Sequence, residues 1–420
     1  MPYVGRTPTA SPIDSSDIPD NSIDASKIVD GAIAVADIAD NSITDAKLNS
    51  SKLDGIATGA NNYSHPATHS TSEIADNAIT MAKIADADVV TLKSGRKNLI
   101  INGGMQVSQR GTSLTGLQNS PAYLVDRFSY RRGGAWTSFQ ATMSQEDVTD
   151  LPGFSKSVKV ATAAAETSST SSVGISTCLE AQDLISLGLG TSDKKDMTIS
   201  FWVKSNQTGT YTLWTTLNDQ VGDYTHTSSY TVDTADTWEK KTIIIPALTT
   251  SEAMTYDNTI GLALYWIYSG KSVATAGWGP NNDWGIISGS NDLSGSTSNY
   301  LEITGVQLEL GSVATDFEHR SYGEELALCQ RFFIAAPEVT GRYTGSSTGI
   351  AQIWVDFPNH MRASPTVTTY GIGGYPNNPG YYDKDYVGNV ACNTVGRKYG
   401  FIVYNLSGPG QFGYHADAEL

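Results

Sequence analysis

An aliphatic residue falls on every fifth position through the first part of the chain, and this spacing restricts what the segment can fold into. A period of five fits neither a helix face, with a period of about 3.6, nor a strand face, with a period of about two. Asp-Asn or Asp-Gly pairs recur every ten residues, at positions 20–21, 30–31 and 40–41. Such pairs favour turns, because Asn and Gly tolerate positive φ. The pattern predicts a decapeptide repeat that turns back in each half. The regularly spaced residues are Ile18, Ile23, Ile28, Ile33, Ile38, Ile43, Leu48 and Leu53.

A single chain with this repeat cannot bury its own aliphatic side chains. One apolar residue in five does not offset the entropy lost in ordering the other four. Several copies wound about a common axis can, because each apolar residue then meets its symmetry mates. We therefore expect residues 17–93 to form the shaft of a homotrimer, although the pattern indicates several chains more strongly than three. The alternative is a disordered low-complexity linker, but a linker does not require aliphatic residues at a constant spacing of five.

Composition excludes several kinds of partner. A net charge of −16 opposes binding to nucleic acid or to an anionic membrane, and no apolar run is long enough for membrane insertion. Cys178, Cys329 and Cys392 are isolated and odd in number, which predicts no disulfide framework and fits assembly in a reducing cytoplasm. We expect no cofactor and no metal. His65 and His69 are the one candidate metal site, since a threefold axis would bring together three copies of each imidazole, and three imidazoles can hold a metal ion. The alternative is that both histidines face solvent.

From residue 98 onward, short β-rich segments alternate with turn clusters. This pattern predicts a two-sheet sandwich of jelly-roll type over residues 94–320. A helical neck is expected over residues 321–333, capped by Ser321, and a second β domain over residues 334–420. Trp202 and Trp238 are expected to pack against a sheet. The predicted core consists of Ile199, Phe201, Val203, Leu213, Ile243, Ile245, Leu262, Leu264, Ile303, Val306 and Leu308.

Two aromatic loops are candidate glycan-binding sites. Sugar rings stack on aromatic side chains, while Asn and Asp bond to hydroxyl groups, and tyrosine gives a large contact area at low entropic cost. The alternatives are that these rings pin their own loops or, for the tyrosines, pack across a trimer interface. The candidates are Trp278, Asn282, Asp283 and Trp284 in the first loop, and Tyr375, Tyr381, Tyr382 and Tyr386 in the second.

Several segments resemble parts of bacteriophage tail fibre proteins. DNSITDAKL at 40–48 and KLDGIATGANNYSHPATHS at 52–70 resemble the shaft repeats of such fibres. NLIINGGMQVSQRG at 98–111, YLVDRFSY at 123–130 and VQLELGSVATDFEHRSYGEELALCQRFF at 306–333 resemble the opening and closing segments of a β-sandwich module found in them. ADAEL at 416–420 is similar to the ending of many such proteins.

The resemblance implies an elongated, mainly β fibre in the virion, assembled in the host cytoplasm. It implies that residues 1–16 attach to a tail protein (baseplate, nozzle or adaptor) and that the other end binds a glycan or another receptor on the host surface.

A tailspike-like polysaccharide depolymerase is the alternative from a different functional class. Such enzymes usually carry a large parallel β-helix, and no long repeat stack of that kind appears between residues 98 and 420. Short matches to G-x-S-x-G at 345–349 and G-x-G-x-x-G at 408–413 lack the strand and helix context that those motifs require. We therefore expect a structural protein without enzymatic activity.

Overall fold

The structure, a computed structural model, divides into two compact units, Met1–Lys83 and Ile84–Leu420. Ile43, Leu48, Leu53, His65 and His69 lie outside the described residues. The described residues are Pro12, Asp14, 16–39, 97–118, 121–134, 136–167, 172–217, 224–248, 254–270, 273–280, 286–341, 352–371, 400–404 and 410–420.

In the first unit, hydrogen-bonded turns recur every five residues. The two halves of a decapeptide differ in the type of turn: 3-10 helices occupy Ala25–Lys27 and Val35–Asp37, whereas Asn21 and Gly31 have positive φ of 63° and 81°. The Asp-Asn and Asp-Gly pairs at 20–21 and 30–31 therefore form the predicted turns. The backbone N–H groups of Asp17, Ser22, Lys27, Ala32 and Asp37 donate to the carbonyls of Asp14, Pro19, Asp24, Val29 and Ala34, respectively.

The aliphatic residue of each half-repeat directly follows a turn, and its side chain is exposed in the single chain. The exposed fractions are 45% for Ile18, 55% for Ile23, 43% for Ile28, 55% for Ile33 and 43% for Ile38. Within the described part of the single chain these side chains therefore stay about half exposed, in agreement with the argument that one chain cannot bury them.

The second unit is built mainly from antiparallel β-sheets, and two of these form the sandwich. The first sheet has the order β1 (Ser113–Leu117), β4 (Gln140–Asp147), β5 (Lys156–Ala164), β13 (Tyr300–Leu310), β7 (Met197–Ser205), β10 (Glu239–Ile245). The second has the order β12 (Gly277–Pro280), β9 (Tyr224–Val232), β8 (Gly209–Leu217), β11 (Ile260–Ser269), β6 (Val173–Glu180), β3 (Phe128–Arg132), β2 (Ala122–Tyr123). The chain passes repeatedly between the two sheets.

The core of the sandwich contains the residues that alternation predicted. All of them are buried except Ile243, which is partly buried against the same cluster. Phe201 from the first sheet meets Tyr230 and Trp266 from the second, with ring centroids 5.1 and 5.5 Å apart in edge-to-face geometry. Burying side chains of this size stabilises the fold by about 1.5–3 kcal/mol each.

Trp202 and Trp238 pack on the outer face of the first sheet, as predicted. They form a small cluster with Val148, Leu151 and Phe154 from the loop between β4 and β5. The Trp238 indole N–H donates to a carboxylate oxygen of Asp150 at 2.9 Å. Both faces of the first sheet thus carry apolar packing.

A short helix and smaller sheets follow the sandwich. Helix α1 (Tyr322–Cys329) begins with the predicted Ser321 cap, and Glu324 completes a capping box. The helix ends at Cys329 rather than at Phe333, because the chain turns and Phe333 begins the strand β14 (Phe333–Gly341). One sheet has the order β14 (Phe333–Gly341), β18 (Gly410–Asp417), β16 (Thr366–Gly371), and the other pairs β15 (Gln352–Asp356) with β17 (Gly400–Tyr404).

Candidate functional site: a cleft between the sandwich and the C-terminal sheet

Arg127 joins the sandwich to the residues that follow β18. Its guanidinium forms a direct ion pair with the Glu419 carboxylate, although both side chains are buried. The same group donates to the carbonyl oxygen of Cys178 at 2.5 Å and lies 3.5 Å from the centroid of the Phe332 ring. The pair therefore links sheet residues of the sandwich with the chain before β14 and after β18.

Arg110 lies beside this pair and contacts three carboxylates. Its nitrogens are 3.7 Å from Asp126, 3.4 Å from Asp417 and 3.3 Å from Glu419. The guanidinium also lies 3.5 Å from the centroid of the Phe333 ring, which is a cation–π geometry. Arg110 is consequently held on one side by carboxylates and on another by an aromatic face.

Asp126 is buried behind Arg110 and is fixed by Gln109. The Gln109 backbone N–H donates to one carboxylate oxygen at 3.1 Å, and its side-chain amide donates to the other at 2.5 Å. Burial raises the pKa of the Asp126 carboxyl to about 6, although the Gln109 hydrogen bonds and Arg110 act in the opposite direction. The Gln109 amide also donates to the carbonyl of Phe333 at 2.7 Å, so Gln109 ties Asp126 to β14.

Asn102 holds the loop that carries Asp126 and Arg127. Its side-chain amide donates to the carbonyls of Val107 and Asp126 at 2.8 Å each, and its oxygen accepts from the Val107 N–H at 3.0 Å. The backbone N–H of Asn102 donates to Glu325 of helix α1. The start of the sandwich, the helix and the cleft are thus one hydrogen-bonded network.

Glu180, at the end of β6, forms a second set of ion pairs between the sandwich and the residues that follow helix α1. Its buried carboxylate lies 2.7 Å from Arg331 and 3.4 Å from Arg362, and Arg362 also donates to the carbonyl of Ala418 at 3.0 Å. A buried carboxylate with two guanidinium partners is satisfied only when the smaller sheets are docked on the sandwich.

The cleft has a volume of about 660 Å³ and lies between the sandwich and the sheet formed by β14, β18 and β16. Strand register explains its lining: Phe333 pairs with Asp417, which pairs with Thr366, and all three lie on one face. Their neighbours in sequence face the other way, into a small apolar core. The cleft is lined by Arg110, Leu114, Tyr123, Phe333, Thr366, Thr368, His415, Asp417 and Glu419.

The lining combines aromatic rings with hydroxyl and carboxylate groups. Thr366, Thr368 and Asp417 are exposed at the surface. Burial, and then the nearby Arg110 guanidinium, hold the pKa of His415 below its usual value, so that its imidazole is neutral at pH 7. Burial raises the pKa of Tyr123, whose hydroxyl stays protonated and donates to the carbonyl of Leu420 at 2.6 Å. Such a surface suits a polyhydroxylated ligand with apolar C–H faces.

Of the residues proposed from sequence as glycan contacts, only Trp278 lies among the described residues. It is partly buried against the sandwich core, its indole N–H donates to the carbonyl of Pro246 at 2.6 Å, and its ring meets His226 edge-on at 5.1 Å. These contacts suit the alternative interpretation, in which the ring pins its own segment. The other candidates, Asn282, Asp283, Trp284, Tyr375, Tyr381, Tyr382 and Tyr386, lie outside the described residues.

Sequence reasoning did not select the cleft residues. A usable signal was present, because Arg110, Asp126, Arg127 and Glu419 all lie in segments that resemble fibre proteins. Within the described part of the chain, no group of His, Cys, Asp and Glu side chains is arranged to hold a metal ion. No helix there is long and apolar enough to cross a membrane.

No protein-family model and no curated protein matches the chain. Among solved structures, the enzymatically active domain of tailspike protein 4 from bacteriophage CBA120 matches with 12% identity and a TM-score of 0.28, over 51% of this chain and 21% of that one. The chain therefore spans about a fifth of the length of that tailspike structure.

Two carbohydrate-binding modules also match. The family 11 module of the Clostridium thermocellum cellulase Lic26A-Cel5E has 15% identity and a TM-score of 0.25, over 49% of this chain and 96% of that one. The xylan-binding CBM22-1 domain of Paenibacillus barcinonensis Xyn10C has 14% identity and a TM-score of 0.22, over 44% and 87%. At these values the comparisons place the chain in no family.

Proposed function

We propose that the protein is the tail fibre of a bacteriophage and attaches the virion to its host by binding a surface glycan. The observation that carries this proposal is the turn every five residues, each followed by an exposed aliphatic side chain. A monomer leaves this regular series of aliphatic side chains exposed to water, whereas a shaft of identical chains buries them between copies. The resemblance of the segments between residues 40 and 130 to fibre proteins points in the same direction.

In this proposal three copies bury the aliphatic residues of 17–93 against one another. Residues 1–16 dock on a tail protein of the baseplate, nozzle or adaptor type. The fibre is assembled in the host cytoplasm and acts as part of the virion. Three chains repeat each binding site, so a weak affinity at one site still gives strong attachment.

The cleft is the site that we propose for glycan. Thr366, Thr368 and Asp417 supply exposed hydrogen-bonding groups, and Tyr123 supplies a partly buried aromatic ring beside them. The two aromatic loops, with Trp284 and the tyrosines at 375–386, remain further candidates.

The arrangement of carboxylates favours binding over cleavage. A glycosidase needs two carboxyl groups that flank the scissile bond. In the cleft, Asp417 and Glu419 lie 3.4 and 3.3 Å from the same guanidinium, that of Arg110. The Glu419 side chain is also only 5% exposed and is paired with Arg127, so this carboxylate is suited to holding the structure rather than to reaching a scissile bond.

Retention of host surface polysaccharide by the purified protein tests the proposal, with product size and oligomeric state measured in the same samples. We expect a trimer by light scattering and retention without shortening of the polysaccharide. Shortened oligosaccharides would identify a depolymerase instead. The double variant Thr366→Val and Thr368→Val should weaken retention. Thr231→Val, which changes an exposed strand threonine of the sandwich, should not.

A further inference from the structure

The side chains that line the cleft carry more negative than positive charge. Arg110 is the only arginine or lysine among them, and it faces the carboxylates of Asp417 and Glu419. His415 is neutral at pH 7, because its pKa is held below the usual value. The lining therefore carries one net negative charge at neutral pH.

The charges behind the lining do not reverse this balance. Arg127 and Asp126 are both buried and of opposite sign. The next cation outward, Arg131, is already bonded to the carbonyl of Leu420 at 3.2 Å and to the hydroxyl of Tyr123 at 3.4 Å. No cationic group near the cleft in the described part of the chain is thus left to pair with an incoming anion.

Arg110 itself is not free to bind an anionic ligand. Its side chain is mostly buried, three carboxylates surround its nitrogens, and its guanidinium lies on the Phe333 ring. An acidic sugar would have to displace one of those carboxylates and would then be repelled by the others. By contrast, the hydroxyl groups of an uncharged sugar can donate to Asp417, whose side chain is 47% exposed, and can exchange hydrogen bonds with Thr366 and Thr368.

We propose that the cleft takes an uncharged saccharide, rich in hydroxyl groups, and rejects saccharides that carry a carboxylate at the bound unit. This inference rests on the proposed glycan-binding function and specifies its ligand. The selectivity is electrostatic, so it should weaken as the salt concentration rises. Because Asp417 is half exposed, solvent screening limits the preference to about tenfold in affinity.

A glycan array tests this with the full chain, if each neutral oligosaccharide is paired with a counterpart carrying a uronic or sialic acid. We expect stronger binding to the neutral members by about tenfold. Asp417→Asn should narrow that preference, because it removes the exposed negative charge. Asp193→Asn makes the same change in net charge at an exposed site of the loop before β7 and should leave the preference unchanged.

Two outcomes overturn the inference and leave the proposed function standing. One is stronger binding to the acidic members. The other is a preference that Asp417→Asn does not alter, since binding would then occur away from the cleft. Failure of the intact protein to bind any saccharide, on the array or on host cells, would refute the glycan-binding function itself and the inference with it.

Discussion

Arg127 and Glu419 form a direct ion pair with side chains that are only 2% and 5% exposed, although the two residues are 292 positions apart in the chain. The pair joins a loop at the start of the sandwich to the residues that follow β18. Two charges taken out of water are tolerated only when further contacts satisfy them. The Cys178 carbonyl and the Phe332 ring supply such contacts to Arg127.

Removing one partner of this pair should destabilise the second unit strongly. In Glu419→Ala the Arg127 guanidinium stays buried without its counter-ion, which typically costs about 3–5 kcal/mol. We expect a corresponding loss in the free energy of unfolding measured by denaturant titration. Asp147→Asn, which removes an exposed carboxylate 2.5 Å from Lys156, should change it by less than about 1 kcal/mol. Similar losses in the two variants would show that the Arg127–Glu419 pair is not a structural tie.

The exposed aliphatic residues of the first unit should control assembly. Ile23→Ser combined with Ile33→Ser removes two side chains per chain that we propose to be buried between copies. Each is worth about 1.5–3 kcal/mol if fully buried. We expect a lower melting temperature of the shaft. We also expect the oligomer to dissociate at a higher protein concentration than that of the natural protein, as measured by light scattering. Val29→Ser is the matched control, because Val29 is 76% exposed and lies out of phase with the series. An equal effect of Val29→Ser would contradict the shaft proposal.

The turn at Gly31 needs a positive φ, so the stability of the shaft should depend on which residue occupies position 31. Gly31 has φ of 81°, and a Cβ added there would meet nothing within 4 Å. Gly31→Ala therefore acts through backbone conformation alone and should cost about 1–2 kcal/mol per chain, read from the thermal unfolding of the shaft. Gly31→Asn should cost less, because Asn already occupies the equivalent position 21 with φ of 63°. Equal costs for the two variants would argue against a left-handed turn.

The buried Asp126 should make stability depend on pH in a defined window. Its folded pKa is about 6, above the usual value of 3.8, because burial disfavours the charged form. The stability that this group contributes is therefore fully present below about pH 4 and is lost as the pH rises through 6. We expect the stability of the natural protein to fall relative to Asp126→Asn by up to about 3 kcal/mol between pH 4 and pH 7. Parallel curves for the two proteins would show that Asp126 is not protonated preferentially in the folded state.

Substitution of Trp278 distinguishes the two interpretations of this residue, as an anchor of its own segment or as a glycan contact. Its contacts with Pro246 and His226 lead us to expect that Trp278→Ala lowers the melting temperature of the second unit. Retention of polysaccharide at low temperature should be unchanged. Trp278→Phe keeps a ring but loses the N–H donor, so it should recover part of the stability. If Trp278→Ala instead abolishes retention of the polysaccharide and leaves the melting temperature unchanged, Trp278 is a glycan contact.

Some sandwich strands were predictable because exposed and more buried residues alternate along them, as in Glu239–Ile245. The sequence pattern predicts strands at Glu239–Ile245 and Tyr300–Leu310, and the structure has both with these bounds. The polar–apolar pattern of Met197–Ser205 identifies its buried face. The strand Gln140–Asp147 was missed, since most of its residues are polar and only partly buried. Alternation is a signal only where one face meets solvent and the other meets the core.

The cleft was not predictable in the same way, because it depends on contacts between distant residues. Nothing in the sequence around Arg110 shows that Asp417 and Glu419 will lie beside it, since the three come together only when β18 docks against the sandwich. Aromatic residues attracted attention to Trp278, but a tryptophan in a Gly-rich segment has the same sequence appearance whether it anchors or binds. Local patterns predict strands and turns, whereas a site assembled across a chain needs tertiary geometry.

The closed turns of the first unit have a consequence for changes in the number of repeats. Each turn completes its own backbone hydrogen bond within four residues, from Asp14–Asp17 through to Ala34–Asp37. Loss of residues 19–28 would join Ile18 directly to Val29 and leave the phase of the following turns intact. Insertions and deletions of ten residues are thus neutral for local folding, so under the shaft proposal the number of decapeptides sets the length of the shaft.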